Sequence, residues 1–426
     1  VRPGAAGLGA LLLVTALGAG CEHAGPAPAR LVFKHARILG PDNPIPDLLR
    51  EFEARHPGVR VASEVLPWNA DEQHQFYVIN LEGGRAGLDV LMMDVIWVPE
   101  FARAGWLLEL DASFPPAERA AFFPSTIEAA TEGGRIWGIP WNMNVGLLYY
   151  RADLLGAQGL APPRTYGELV AQVARIRAAG HPALDGYVWQ GKQYEGLVVN
   201  ALEQLWANGT DLLGAGGAFF PDPGRAEEVL AFMRSLLTSG ISPAWITAAE
   251  EELGRRAFGD GRAIFYRGWP YALDLFEMPD SPVRGKVGIA PLPRHRDGTA
   301  GPGSTGGSHL GVYRGTRHPR EAVALARFLT GEDAQRRIAR AALWPTRMRL
   351  YGDPTFTAGR RGVAEIHALA LAGRPRPVTP YYLMLSTTVQ PELSAALVGV
   401  KSPAASVRDA RHQLEYLVGG LARAAR

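Results

Sequence analysis

Hydrophobic and polar positions change period repeatedly along this chain, and the changes mark elements. Residues 31–36 (LVFKHA) read as a first strand. Residues 45–56 (IPDLLREFEARH) carry Leu48, Leu49 and Phe52 on one helical face, and Pro57-Gly58 stops that helix. Residues 59–65 (VRVASEV) alternate as a strand, 71–82 read as a second helix, and 88–93 (LDVLMM) as a buried strand ending at Asp94. This alternation predicts an α/β fold in which a parallel sheet is covered by helices. Ligands of such sheets sit beyond the carboxyl ends of strands, which makes Asp94 a candidate binding residue.

The pattern then repeats with different content. Residues 146–150 (GLLYY) form a predicted strand, and a Thr-Tyr-Gly-Glu capping signal opens a helix over 165–179. Further helices are predicted over 224–239 and 248–259, and strands over 263–267 and 286–290. Residues 294–307, rich in Gly, Arg and Thr, read as a loop; 320–329 and 332–342 read as helices. The C-terminal third is helical with Pro-rich breaks. No solenoid repeat or heptad pattern interrupts this order.

At 426 residues the chain exceeds one typical core, so two domains are expected. Hydrophobic residues at 47% and charged residues at 20% fit an ordinary globular protein, and a net charge of +2 gives no sign of a nucleic-acid groove. Only 4 residues are Lys, but the arginines are scattered, which fits composition better than a phosphate site. The first residues look like a targeting segment. Arg2 supplies a positive region and residues 8–17 (LGALLLVTAL) an apolar stretch too short to span a bilayer. Small residues then precede Cys21, the single cysteine, in a pattern that looks like a bacterial lipoprotein processing site, although Gly18 stands where a Leu is usual. Residues 1–21 are thus expected to be a signal peptide with Cys21 lipidated, and residues 22–30 (EHAGPAPAR) a tether.

The densest chemistry lies in residues 187–202 (YVWQGKQYEGLVVNAL). Rings such as Trp189 and Tyr194 can stack on a sugar face, and Gln190, Gln193 and Glu195 can exchange hydrogen bonds with its hydroxyls. Trp97 and Trp189 fit packing better than stacking. Residues 301–306 (GPGSTG) fit G-x-G-x-x-G, but late, with a proline and running into a strand, so a dinucleotide site is not expected. No H-E-x-x-H, P-loop or G-x-S-x-G occurs, and the histidines lack metal spacing. No cofactor or metal is expected.

Several blocks in order carry a resemblance. They include EFEARHPGV (51–59), LMMDVIWVPEFARAGWL (91–107), GLLYYRADLL (146–155) and YVWQGKQYEGLVVNALE (187–203). YRGWPYAL (266–273), GKVGIAPLP (285–293), TGGSHLGV (305–312) and RPVTPYY (376–382) follow. Together they resemble bacterial ABC-transporter extracellular solute-binding proteins, in the trehalose/maltose-binding branch of the sugar-binding family. The resemblance implies two α/β lobes, a hinge and a ligand cleft. It puts residues 31–144 plus 288–343 in the N-terminal lobe and 145–287 plus 344–426 in the C-terminal lobe. It also implies that Asp94 accepts hydrogen bonds from sugar hydroxyls, Trp269 stacks on a sugar ring, backbone at Gly307 approaches the ligand, and Arg376 hydrogen-bonds it. Asn43, Gln73, Asn142, Asn144 and Ser308 depart from the branch's pattern at pocket positions, which leaves the pocket amide-rich with less aromatic surface. Glu195 is expected either to touch the sugar or to hold the loop.

The implied protein is a non-enzymatic, monomeric, lipid-anchored extracytoplasmic receptor. It captures a neutral di- or oligosaccharide and passes it to ABC permease subunits, and through them to an ATPase. A secreted glycoside hydrolase is the rival reading; Asp94 with Glu195 is its carboxylate pair. A receptor for another solute, such as a peptide or polyamine, is a third reading; polyamine sites need several carboxylates, and this pocket is amide-rich instead.

Overall fold

The computed structural model describes residues 28–38, 43–67, 70–84, 87–296 and 301–424. Cys21 and the predicted signal segment lie outside them. Twelve strands occur among the described residues. They are β1 (Ala29–Ala36), β2 (Val59–Leu66), β3 (Val90–Asp94), β4 (Thr131–Glu132), β5 (Arg135–Ile136), β6 (Ile139–Val145) and β7 (Leu147–Arg151). The rest are β8 (Asp185–Val188), β9 (Ala263–Gly268), β10 (Val287–Ala290), β11 (Ser304–Val312) and β12 (Arg374–Pro375).

Two main sheets result. The first runs β12-β11-β3-β1-β2, with β6 also paired to β11. Its first half is the expected parallel unit: β1 pairs in parallel with β2 and β3. The sheet as a whole is mixed, because β11 returns from the second sheet and lies antiparallel to β3 and β6. The second sheet runs β10-β7-β9-β8. Gly288, Ile289 and Ala290, expected in the N-terminal lobe, pair with β7 of this second sheet. Arg374 and Pro375, expected in the C-terminal lobe, pair with β11 of the first. Residues 304–307, expected in a loop, are the start of β11. Ala29 and Arg30, expected in the tether, begin β1.

Helices pack on both sheets, several of them through one apolar stripe. Ile45–Arg55 buries Ile45, Leu48, Leu49 and Phe52 against the first sheet, where Phe33, Val90, Leu310 and Val312 form the core. Thr165 accepts the Glu168 N–H at 3.0 Å and opens Tyr166–Ala178 as the capping signal predicts. Tyr382–Val398 and Pro403–Ala424 pack on each other and on Pro223–Thr238. No helix among the described residues is long and apolar enough to cross a membrane.

The chain passes between the sheets at Gly146, again between β10 and β11, and again after β12. The first two passages touch. Gly146 donates its N–H to the Ser304 carbonyl at 3.0 Å. A Cβ on Gly303 would overlap the Gly146 backbone, and one on Gly146 would overlap the Glu203 carboxylate. Glycine is required at both positions by close approach.

Candidate functional site

A cavity of about 220 Å³ opens where the passages leave the sheets. From the first sheet it is lined by Asp94 at the end of β3, Asn142 and Asn144 on β6, and Gly307 and Ser308 on β11. From the second sheet's side come Trp269, just past β9, and Tyr194 and Glu195 at the start of helix Glu195–Ala207. Arg376, one residue beyond β12, joins them.

Arg376 ties the two sides together. Its Nη1 donates to Glu195 Oε1 at 2.7 Å and its Nη2 to Asp94 Oδ1 at 3.0 Å. Burial works against the guanidinium's charge, but the Asp94 and Glu195 carboxylates outweigh it and hold the group firmly protonated. Burial pushes the Glu195 carboxyl up, against the pull of Arg376 and of two hydroxyl donors. Those donors are Tyr382, at 2.8 Å, and Ser386. Both Glu195 oxygens are therefore taken by protein donors. Asp94 Oδ1 serves Arg376 and the Ile96 N–H at 3.2 Å, which leaves its Oδ2 to the cavity.

The first sheet contributes amides and hydroxyls. Ser308 sits opposite Asn142 in the ladder and its hydroxyl donates to the side-chain Oδ1 of Asn142. Gly307 holds φ at +104°, and a Cβ there would collide with the Asn142 backbone carbonyl, so only glycine fits. Gln73 is buried and donates to the Pro67 carbonyl at 2.8 Å. Two N–H donors of lining residues lack acceptors: Trp141 Nε1 and Arg376 Nε are buried with no hydrogen-bond partner. Buried donors of this kind are rare and costly, so a ligand oxygen is the natural acceptor here.

Trp269 forms the aromatic wall. The Arg267 guanidinium lies 3.9 Å from its ring centroid. Arg267 is itself buried and donates through Nε to Glu203 Oε2 at 2.7 Å. Glu203 Oε1 also accepts the Ser304 N–H at 2.8 Å, in the strand that crosses between the sheets. One face of the indole is thus stacked on a fixed cation, while its edge rests near Gly306.

The model of the bacterial extracellular solute-binding protein family matches residues 40–336. A probable ABC transporter-binding protein of Deinococcus radiodurans is 31% identical over 86% of this chain and 88% of its own. The chain belongs to the bacterial extracellular solute-binding protein family. Among solved structures, maltose-bound MalE3 of T. maritima superposes at a TM-score of 0.85, with 34% identity over 91% of this chain and 100% of that one. A Thermotoga lettingae solute-binding protein bound to α-D-tagatose matches at 0.80 with 23% identity, covering 91% and 99%, and supports the fold alone. The fold is therefore the two-lobed one of periplasmic solute-binding proteins.

In this solute-binding protein the cavity gathers Gln73, Asp94, Asn142, Asn144, Glu195, Trp269, Gly307, Ser308 and Arg376. Asn43 is the exception. It is exposed, lies outside the lining, and its Oδ1 accepts the Ile45 N–H at 3.0 Å at the start of a helix. An amide beside a helix start is used by the backbone before a ligand can use it. Three side chains of the 187–202 segment also sit elsewhere. Trp189 is fully buried and donates to Ser242 at 3.0 Å, and Gln190 is buried against Arg267 and Asn200. Gln193 is exposed and does not line the cavity. Sequence reasoning missed Trp141, Glu250, Glu251 and Tyr271, which also line it. Burial pushes the Glu251 carboxyl up, against its own backbone N–H and the Tyr194 hydroxyl. Nothing in the local sequence of Glu250 or Glu251 separates them from ordinary first-turn acids of a helix.

Proposed function

We propose that this cavity captures a neutral di- or oligosaccharide of the trehalose or maltose kind. The protein then delivers it to the transmembrane subunits of an ABC permease whose ATPase drives import. The observation that carries this reading is the convergence of Trp269, Asp94 and Arg376 on one cavity. A sugar presents an apolar ring face and hydroxyls that both donate and accept. An indole face, a carboxylate oxygen and buried N–H donors match those needs. MalE3 of T. maritima, described with maltose bound, is similar over nearly the whole chain and supports an α-linked disaccharide. The lobes close about the hinge passages, with Asp94, Trp269, Gly307 and Arg376 contacting sugar and Cys21 holding the protein to the outer face of the membrane. Ligand must favour the closed arrangement by binding it better than the open one.

The rival hydrolase reading needs two carboxylates free for proton transfer. Glu195 has both oxygens engaged by Arg376, Tyr382 and Ser386, which argues against it. Titration of the purified protein with trehalose, maltose and related sugars by calorimetry tests the proposal. Saturable binding of at least one, with the sugar recovered intact after long incubation, supports it. A folded protein that binds no neutral sugar overturns it. Trp269→Ala and Asp94→Ala are each expected to abolish binding without unfolding the protein.

A further inference from the structure

A second cavity, of about 540 Å³, shares no residue with the first. Its walls come from elements distant in sequence. Helix Tyr271–Phe276 and the residue after it bring Asp274 and Glu277; Arg284 precedes β10. Helix Glu332–Ala339 and the residue after it bring Arg336 and Arg340, and the segment after Pro354–Thr357 brings Arg360 and Arg361. Phe356 supplies an apolar side. The lining thus holds Arg284, Arg336, Arg340, Arg360 and Arg361 against Asp274 and Glu277 alone.

The pairing leaves cations over. Arg361 donates to Glu277 at 2.6 Å, Arg360 Nε lies 3.3 Å from Asp274, and Arg336 donates to Asp353 at 2.7 Å. Arg284 and Arg340 have no carboxylate or hydrogen-bond partner for their side chains among the described residues. Arg360 Nη1 is also buried without an acceptor. That guanidinium is fixed by the Phe356 and Trp344 rings, 4.7 and 5.0 Å away, so its free edge is held rather than floating in solvent. Unlike the scattered arginines of the sequence, these converge from three parts of the chain on one cavity of small-molecule size.

We propose that this cavity is a binding site for a phosphate group, held by Arg284, Arg340 and the buried edge of Arg360. Planar guanidinium forks match the geometry of phosphate oxygens, and a group with several terminal oxygens can serve three of them at once. The volume leaves room for a substituent on the phosphate. Inorganic phosphate, a soluble phosphomonoester and an anionic lipid headgroup share this chemistry.

The test is calorimetric titration of the purified protein with sodium phosphate, at ionic strength fixed by sodium chloride so that general screening is constant. Saturable phosphate binding is expected where chloride gives none. Arg284→Ala with Arg340→Ala should weaken it at least tenfold. Both side chains are exposed, so the double variant should keep the wild-type unfolding midpoint in phosphate-free buffer and a sugar affinity within twofold. Short-chain dihexanoyl phosphatidic acid separates the sources. Tighter binding than inorganic phosphate assigns a headgroup; equal or weaker binding assigns a free phosphate. Absence of saturable phosphate binding, or wild-type phosphate affinity in the double variant, overturns the proposal.

Discussion

Replacement of Glu195 gives the sharpest test of how the sugar site is built. Its carboxylate accepts from Arg376 at 2.7 Å, from Tyr382 at 2.8 Å and from Ser386, all buried. Glu195→Ala leaves those three donors without an acceptor. Each such loss costs about 1–3 kcal/mol, and breaking a buried ion pair by removing one partner costs about 3–5 kcal/mol in all. The second figure sets the scale, since Arg376 keeps Asp94 and the hydroxyls can rotate. Unfolding entropy of about 2.1 cal/mol/K per residue converts it to a drop of about 3–6 °C in the unfolding midpoint for a chain of this length. Sugar affinity should fall at least about tenfold, because about 1.4 kcal/mol of misplaced Arg376 suffices. Glu195→Gln keeps one carbonyl acceptor in place and turns its amide toward Ser386, whose hydroxyl accepts as well as donates. It should lose about half as much stability and bind sugar within about threefold of wild type. Thermal unfolding and calorimetry on the three proteins decide the matter. If the Ala variant binds sugar like wild type, Glu195 does not position Arg376. If the Gln variant is as weak as the Ala variant, Glu195 acts on the sugar directly.

Gly307→Ala forces a Cβ onto backbone at φ +104° beside the Asn142 carbonyl, and should cost about 2–4 kcal/mol and most of the sugar affinity, read by urea melts and calorimetry. Asn43→Ala should cost about 0.5–2 kcal/mol through the lost helix-start hydrogen bond and leave sugar affinity unchanged; a tenfold affinity loss would return Asn43 to the site. His309 is buried, pairs through Nε2 with the Thr126 carbonyl at 2.7 Å, and burial lowers its pKa from 6.5 to about 4. A depressed folded value means stability present above pH 6.5 and lost as pH falls toward 4, by roughly 3 kcal/mol. His309→Gln should flatten that stretch of the urea-melt profile, and an unchanged slope would reject the assignment.

Period reading found elements whose faces differ and missed those whose faces do not. Ile45–Arg55 has one apolar stripe and was legible to within a residue. Every side chain of Glu195–Ala207 is buried, so the helix lacks a polar face and its sequence looks like a ligand surface instead. Polar Asn142 and Asn144 break the apolar run of β6 because they face the cavity, which hid the strand. The order of sheets was hidden for a different reason: β11 pairs with strands some 160 to 220 residues earlier, and no local pattern encodes such pairing. Asp94 was reached from the strand it ends as well as from family resemblance, whereas Trp269, Gly307 and Arg376 came from the resemblance alone. Trp141 could not be singled out because its ring packs on Phe33 like any core indole, and only the unpartnered Nε1 marks it.

Selectivity in this cavity follows from how few valences remain open. Asn142 Oδ1 is taken by the Ser308 hydroxyl, Gln73 is bound to backbone, and Glu195 is fully engaged. A ligand there would meet fixed partners such as Asp94 Oδ2, Arg376 Nε and Trp141 Nε1. Fixed partners discriminate, since a hydroxyl of the wrong configuration leaves a buried donor or acceptor unpaired at about 1–3 kcal/mol each. The aromatic wall is fixed in the same way: Trp269 stacks on Arg267, Arg267 is held by Glu203, and Glu203 takes the Ser304 N–H in the crossing strand. A change at the passage into β11 is thus carried through one buried ion pair to the Trp269 ring. Loosening that pair should weaken sugar binding without touching any group that contacts it.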